Sequence, residues 1–232
     1  MPKDGGIGAS SKRREDIRFL TGAGNYTDDI NLRGQAYVFF LRSDIAHGTI
    51  NNIDTSAAEG MPGVVKVFTA ADFAGVGGMP CGWQVTDKHG EVMQEPGHPI
   101  LATGKVRHVG EPIAAVVAET LAQARDAAEA IDVDITELPA VIDMKDALKA
   151  DAPKVHDDLK NNLCYDWGFV EENKAAVEEA FQKAAHVTTL ELRNNRLVAN
   201  PMEPRVAVGD FARGTGDHTL YTTSQNPHVI RL

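Results

Sequence analysis

The stretch VRHVGEPIAAVVAETLAQARDAAEAIDVDITELPAVID, Val106 to Asp143, governs how this chain reads. Ile113 to Ala118 is an unbroken apolar run, the pattern of a strand covered on both faces. Pro112 stands at its start, where a missing backbone donor does least harm. Thr120-Leu121-Ala122-Gln123 has capping-box spacing: the threonine hydroxyl accepts from the third helical amide and Gln123 reaches back. Leu121, Ala124 and Ala128 share one helical stripe, and Gln123, Arg125, Asp126 and Glu129 lie away from it. Ile131, Val133 and Ile135 then alternate with Asp132, Asp134 and Thr136, the period of a strand with one dry and one wet face. The unit is strand, covering helix, strand, and a helical crossover of this kind favours parallel pairing with right-handed winding.

On the N-terminal side, Gln35–Arg42, Thr49–Asp54 and Val64–Phe68 read as strands, with a short helical turn at Ser56–Glu59. Lys12–Ile30 reads as an irregular arm with turns at Gly22, Gly24 and Asn25. Gly75–Gly104 is rich in glycine, proline and histidine. A structured loop of that length is expected to be functional or packed against another subunit. On the C-terminal side, Asp146–Ala150 reads as a short helix and Asp151–Gly168 as a polar connection, where a domain boundary falls. Asn173–Ala185 is helical with an apolar stripe of Ala176, Val177, Ala180, Phe181 and Ala184. His186–Arg193, Arg205–Gly209 and His218–Thr223 read as strands. Asn226-Pro227-His228 reads as the entry to a helix whose body is missing, so the second domain is expected to be incomplete.

A hydrophobic content of 43% over 232 residues is enough for real cores. No apolar run approaches the roughly 18 residues that span a bilayer, and the first residues lack the apolar segment of a secretory signal, so the expected compartment is the cytoplasm, with no membrane span. A formal charge of −10 excludes nucleic acid as the main partner, since Lys12-Arg13-Arg14 is the only compact basic run. Cys81 and Cys164 form no CxxC pair and read as free or buried thiols. Four thiolates for an iron–sulfur cluster cannot come from this chain alone.

The sequence offers few sites of its own. Thr21-Gly22-Ala23-Gly24 lacks the preceding strand and third glycine of a dinucleotide fingerprint, and Gly104-Lys105 lacks the upstream glycine of a P-loop. His89, His98 and His108 have no helical or strand spacing that would converge them, so they read as loop histidines and no metal ligand is assigned. Glu203 and Arg205 read as a structural pair. On its own residues, Gln225 reads as a helix-capping amide at the end of a strand.

Several stretches, in this order and spacing, resemble one family. They are Lys12-Arg13-Arg14-Glu15-Asp16-Ile17-Arg18-Phe19-Leu20-Thr21-Gly22 with Tyr26-Thr27-Asp28-Asp29; Val106-Arg107-His108-Val109-Gly110-Glu111-Pro112; Pro201-Met202-Glu203-Pro204-Arg205; and Ser224-Gln225-Asn226-Pro227-His228. Together they are similar to the start of the molybdenum-binding large subunit of the xanthine oxidase and aldehyde oxidase family, nearest its aerobic carbon monoxide dehydrogenase-like members. The resemblance implies an α/β (α+β) fold: a hammerhead domain with a mixed sheet and covering helices, then the incomplete start of a molybdopterin-binding domain. The expected boundaries are an N-terminal arm at 1–14, the hammerhead at 15–142, a linker at 143–172 and the start of the cofactor domain at 173–232.

What the resemblance implies for function is an oxidoreductase that takes oxygen from water. Its molybdenum sits on a molybdopterin, as the cytosine dinucleotide, and electrons pass to iron–sulfur clusters and FAD on partner subunits. Those partners, with the remainder of the large subunit, assemble as a homo-oligomer of heterotrimers. One residue here falls in a motif that approaches the metal: Gln225 resembles the glutamine near the molybdenum oxo ligand, and a neutral amide can donate there without bringing charge into a dry site. No catalytic residue and no metal ligand is assigned, because the family's general-base glutamate and pterin-holding loops lie beyond the stretch that Leu232 ends. The expectation is an N-terminal fragment that is inactive alone and does not retain molybdenum. The alternative is a non-catalytic scaffold or interaction protein that keeps only the hammerhead.

Overall fold

The computed structural model describes residues 7, 12–168, 173–195, 197–201 and 203–230. Most of the expected arm at 1–14, residues 169–172 of the expected linker, Met202 of the Pro201–Arg205 motif and the last two residues of the expected helix entry lie outside that set. In chain order the elements are α1 (Asp16–Leu20), β1 (Tyr37–Arg42), β2 (Gly48–Asp54), α2 (Ser56–Glu59), β3 (Val64–Phe68), β4 (Lys105–Val106), β5 (Pro112–Ala118), α3 (Leu121–Glu129), β6 (Asp132–Glu137), α4 (Lys174–Lys183), β7 (Ala207–Ala212), β8 (Asp217–Thr222) and α5 (Pro227–Ile230). Short 3-10 turns stand at Thr27–Asp29, Ala70–Phe73 and Asp146–Leu148. The chain divides into two compact units, one of Gly34–Leu190 and one joining Met1–Arg33 to Glu191–Leu232.

The larger unit holds two three-stranded sheets, ordered β1-β5-β3 and β4-β2-β6. β5 is central because it is apolar on both faces: Ile113, Ala114, Ala115, Val116 and Ala118 are all buried. α3 covers its sheet with Ala124, Ala127 and Ala128, none of which is exposed to solvent. Alanine at all three positions lets the helix axis approach the strands closely and favours the helix itself. Its start is the expected one, since the Thr120 hydroxyl oxygen accepts from the Gln123 amide at 3.2 Å. The reciprocal bond differs: the Thr120 hydroxyl donates to the Gln123 side-chain oxygen at 2.8 Å, rather than Gln123 reaching a backbone amide. Leu121, expected on the apolar stripe, is largely exposed, and Ala127 takes the buried place instead.

Every pairing in these two sheets is antiparallel. The parallel crossover expected of β5, α3 and β6 is therefore corrected. Both edges of β5 are already occupied, by β1 and β3, and β6 with its one half-buried face pairs with β2 in the other sheet. The handedness rule governs strands of a single sheet, and here the helix carries the chain from one sheet to the other. Ile53 and Val133 pack against both buried clusters, that of Val67, Val116 and the α3 alanines and that of Ala102, Val106 and Ile113. Those two side chains join the sheets.

His47, at the start of β2, is buried; its Nδ1 lies 2.8 Å from the Pro139 carbonyl and so carries the proton, because a carbonyl only accepts. The Leu138 amide donates to the His47 carbonyl at 2.9 Å, so this residue fastens β2 to the end of β6 from both its side chain and its backbone.

Within the smaller unit, the expected irregular arm contains α1, which ends where Gly22 turns left-handed at φ +72° and the Ala23 amide donates to the Arg18 carbonyl at 2.7 Å. Gly22 is thus a helix terminator. The Thr27 amide donates to the Glu203 carboxylate at 3.5 Å, which brings residues 15–33, expected within the hammerhead, to the 191–232 segment. β7 and β8 form an antiparallel hairpin with Ala207 opposite Thr222 and Phe211 opposite His218. The strand expected at His186–Arg193 is corrected: those residues are in no strand, and an extended segment becomes a strand only where another supplies its hydrogen bonds.

Candidate cofactor-facing site at the end of β8

The hairpin fixes where Gln225 stands. The Val206 amide donates to the Thr223 hydroxyl at 3.2 Å and the Thr222 hydroxyl donates to the Val206 carbonyl at 3.1 Å, so the end of β8 is tied to the residue before β7. Ser224 then accepts the Asn226 amide at 2.9 Å, and Pro227 opens α5 with Val229 and Ile230 donating back to the Asn226 carbonyl at 3.1 and 3.2 Å. Asn226 and Ser224 therefore organise the helix start, and the capping role that Gln225's own surroundings suggested does not fall to it. Its side chain is exposed and has no hydrogen-bond partner among the described residues. Held between a strand end and a helix start, it presents an uncharged donor and acceptor outward.

Glu203 lies in the same unit and was expected to pair with Arg205. No ion pair between them is present among the described residues, and the Glu203 carboxylate takes the Thr27 amide instead. A carboxylate that closes a contact 176 residues away in sequence is structural for a reason no local pattern carries.

The motif Val106–Pro112 is structural too. The buried Glu111 carboxylate accepts the Arg107 amide, the Gly110 amide donates to the Ser43 carbonyl at 2.7 Å, and Arg42 donates through Nη1 to the Gly110 carbonyl at 2.8 Å. Gly110 has φ +87°, and a methyl group there would meet no atom within 4 Å. Gly110→Ala therefore isolates the backbone cost. Stability is expected to fall by about 1–2 kcal/mol, the usual price of left-handed backbone in an L-residue. A urea melt reads this as a lower midpoint at unchanged slope, and an unchanged midpoint would refute it.

The long loop from Gly75 is held by its own acids and by residues 164–166. The Glu95 carboxylate accepts from Gln84 Nε2 at 2.5 Å and the Cys81 amide at 2.8 Å, and these bonds hold it below the usual carboxylate range. Gln94 and Cys164 exchange amide-to-carbonyl and thiol-to-carbonyl bonds at 2.9 and 3.2 Å, and Lys88 Nζ meets Asp166 at 2.8 Å. Both cysteines are free thiols. His89 faces Asp166 at 3.7 Å, His98 lines a cleft described below, and His108 bonds its neighbour's carbonyl at 3.0 Å. Among the described residues no three His, Cys, Asp or Glu side chains come together to hold a metal. Gln225, exposed and uncharged, has the chemistry of a neighbour to a group held elsewhere rather than of a metal ligand.

Sequence reasoning missed three residues that the fold makes chemically interesting: His47, Arg107 and His156. His47 gave no signal beyond a histidine among apolar neighbours. Arg107 and His156 are separated by half a hundred residues, which hid their approach.

The comparisons with known proteins agree with this geometry. The family described as "Aldehyde oxidase and xanthine dehydrogenase, a/b hammerhead domain" matches residues 21–139, and "Molybdopterin cofactor-binding domain" matches residues 155–232. The nicotine 6-hydroxylase large subunit of Paenarthrobacter nicotinovorans is 36% identical over 97% of this chain and 27% of its own length. The carbon monoxide dehydrogenase large chain of Hydrogenophaga pseudoflava is 37% identical over 94% of this chain and 27% of its own length. Among solved structures, quinoline 2-oxidoreductase from Pseudomonas putida 86 superposes with a TM-score of 0.84 at 36% identity, over 97% of this chain and 28% of that one. The chain thus spans about a quarter of the length of the relatives it matches. No described helix is long and apolar enough to cross a membrane. With a hammerhead of two antiparallel sheets, one of them covered by α3, and a following segment that matches the molybdopterin-binding domain, the chain belongs to the aldehyde oxidase and xanthine dehydrogenase family.

Proposed function

We propose that this chain is the N-terminal part of the large subunit of a molybdenum hydroxylase, acting in the cytoplasm. The hammerhead serves as scaffold and subunit-contact surface, and Gln225 faces the cofactor. The observation that carries the reading is the unengaged Gln225 amide, fixed at the junction of β8 and α5 while its neighbours Ser224 and Asn226 make the helix start. In the complete enzyme the group is molybdopterin cytosine dinucleotide with molybdenum, which supplies a two-electron oxidation with water as oxygen source. Gln225 donates a hydrogen bond toward the metal centre and, being neutral, adds no charge to a dry site. Iron–sulfur and flavin subunits take the electrons, and the remainder of the large subunit encloses the pterin.

α4 supports the need for that remainder. Val177 and Phe181 are both more than half exposed, and Val187, Leu190 and Leu192 follow them with similar exposure. An amphipathic helix whose apolar stripe meets solvent is incomplete packing rather than a finished surface.

The test is metal analysis of the purified 232-residue chain, alone and after co-expression with the downstream part of a large subunit. Molybdenum below a tenth of stoichiometric is expected for the chain alone and near-stoichiometric metal for the pair. Stoichiometric molybdenum in the chain alone would sink this reading.

The scaffold reading rests on a different observation: both buried clusters lie wholly within residues 34–190. It gains if the co-expressed pair holds no metal while the hammerhead still unfolds cooperatively.

A further inference from the structure

A cleft of about 730 Å³ opens in the larger unit between the 3-10 turn at Ala70–Phe73, the segment Gly97–Thr103 and residues 156–158. Its walls are mostly apolar, with Phe73, Val76, Ile100 and Leu101 among them, and Arg107, His156, His98 and Asp158 are its ionisable groups.

Arg107 is the anomaly. Its Nε is buried without a hydrogen-bond partner, and its one side-chain bond runs from Nη1 to the Lys105 carbonyl at 3.3 Å. The nearby carboxylates are engaged elsewhere: Asp157 holds Lys105 Nζ at 2.5 Å, and Glu111 takes the Arg107 backbone amide. Asp158, on the cleft wall, makes no ion pair with Arg107 among the described residues. A guanidinium partly withdrawn from water, with a buried Nε–H unmet and no carboxylate in ion-pair contact among the described residues, keeps hydrogen-bonding capacity for an anion, although the nearby Asp157 charge, engaged with Lys105, also acts on it. His156 does not meet that Nε–H. Burial, then the Arg107 charge, push its pKa below the ordinary value, so it stands neutral near pH 7 and offers a hydrogen bond without a charge. No hydrogen bond to its ring is made among the described residues.

We propose that this cleft is a binding site for a carboxylate carried on a short apolar stem, the carboxylate meeting the Arg107 fork and the stem lying on Phe73 and Ile100. A guanidinium matches a carboxylate with two parallel hydrogen bonds, which a lysine at the same place cannot do. A monoanion is preferred to a phosphate dianion because, among the described residues, Arg107 is the one Lys or Arg side chain lining the cleft, Lys105 nearby is paired with Asp157, and Asp158 repels a second negative charge. The volume lies within the range of small-molecule sites, and the mixture of apolar wall and few polar groups is theirs as well. Such a carboxylate reaches the cleft either as a free acid or as the side chain of an acidic residue on another polypeptide. This inference is independent of the molybdenum reading.

The test uses the ¹⁵N-labelled 232-residue chain and follows the Arg107 Nε–H resonance, assigned by its disappearance in Arg107→Lys. Butyrate is expected to shift it saturably, and butylammonium is expected not to. Arg107→Lys is expected to weaken butyrate binding by about tenfold, followed on the backbone amides of the cleft, because the bidentate geometry is lost. Ile100→Asp, at a partly exposed wall position, is expected to weaken it at least as much by like-charge repulsion. A blocked glutamate, N-acetyl-glutamic acid α-amide, binding tighter than butyrate identifies an acidic side chain as the source, and the reverse order identifies a free acid. No saturable shift with either carboxylate overturns the proposal. So does inorganic phosphate shifting the resonance as strongly as butyrate.

Discussion

Val116→Asp is expected to abolish the cooperative unfolding of the larger unit, while Val38→Asp, on the neighbouring strand, leaves it within about 0.5 kcal/mol of wild type. Val116 is the centre of β5, with no solvent exposure, opposite Phe39 on one side and Val67 on the other. Its side chain belongs to the cluster shared with the α3 alanines, so a carboxylate there has neither water nor a partner. The cost of an unpaired buried charge is several kcal/mol after relaxation, against a total stability of about 5–15 kcal/mol for a domain. Val38 is 48% exposed and its side chain points to the other face of β1. Thermal melts followed by far-ultraviolet circular dichroism distinguish the two: a sigmoid retained by Val116→Asp would show that β5 is not the packed centre of the unit.

The second large effect concerns Gln225. In the complete large subunit assembled with its partners, Gln225→Ala is expected to lower kcat by about 10²–10³, the loss seen when one preorganised donor to developing charge is removed. Molybdenum content should stay the same, because in the proposed function the amide stands beside the group and does not hold it. The side chain makes no hydrogen bond within this chain among the described residues, so its removal has no structural cost to confuse the readout. Gln225→Glu is the sharper variant, since it keeps the shape and replaces a donor with a negative charge. Unchanged kcat in Gln225→Ala at full molybdenum loading would remove Gln225 from the site.

Much of the local architecture was legible because its causes are local. The Thr120 cap, the apolar run of β5 and the alternation of β6 depend on residues a few positions apart, and the structure bears each of them out. The family motifs around Val106 and Ser224 were legible as well, although what the first does was not: the Glu111 carboxylate closes the turn from β4 into β5 on the Arg107 amide, and Gly110 ties that turn to Arg42 and Ser43 at the end of β1. His186–Arg193 failed for the opposite reason. Its branched and apolar residues satisfy a strand's pattern, yet pairing depends on a neighbour that the pattern does not contain.

By itself the sequence determined that this is a hammerhead chain running into a molybdopterin-binding domain, and where β5 and α3 lie. The tertiary structure alone decided that β5 and β6 belong to different sheets, that Glu203 answers Thr27 rather than Arg205, and that Arg107 lines a cleft with a buried donor unmet. The division has one physical cause. Helix caps, glycine turns and hydrophobic periods act within a turn or a pleat, whereas sheet partners and the pairing of charges are set by which distant segments the buried side chains bring together.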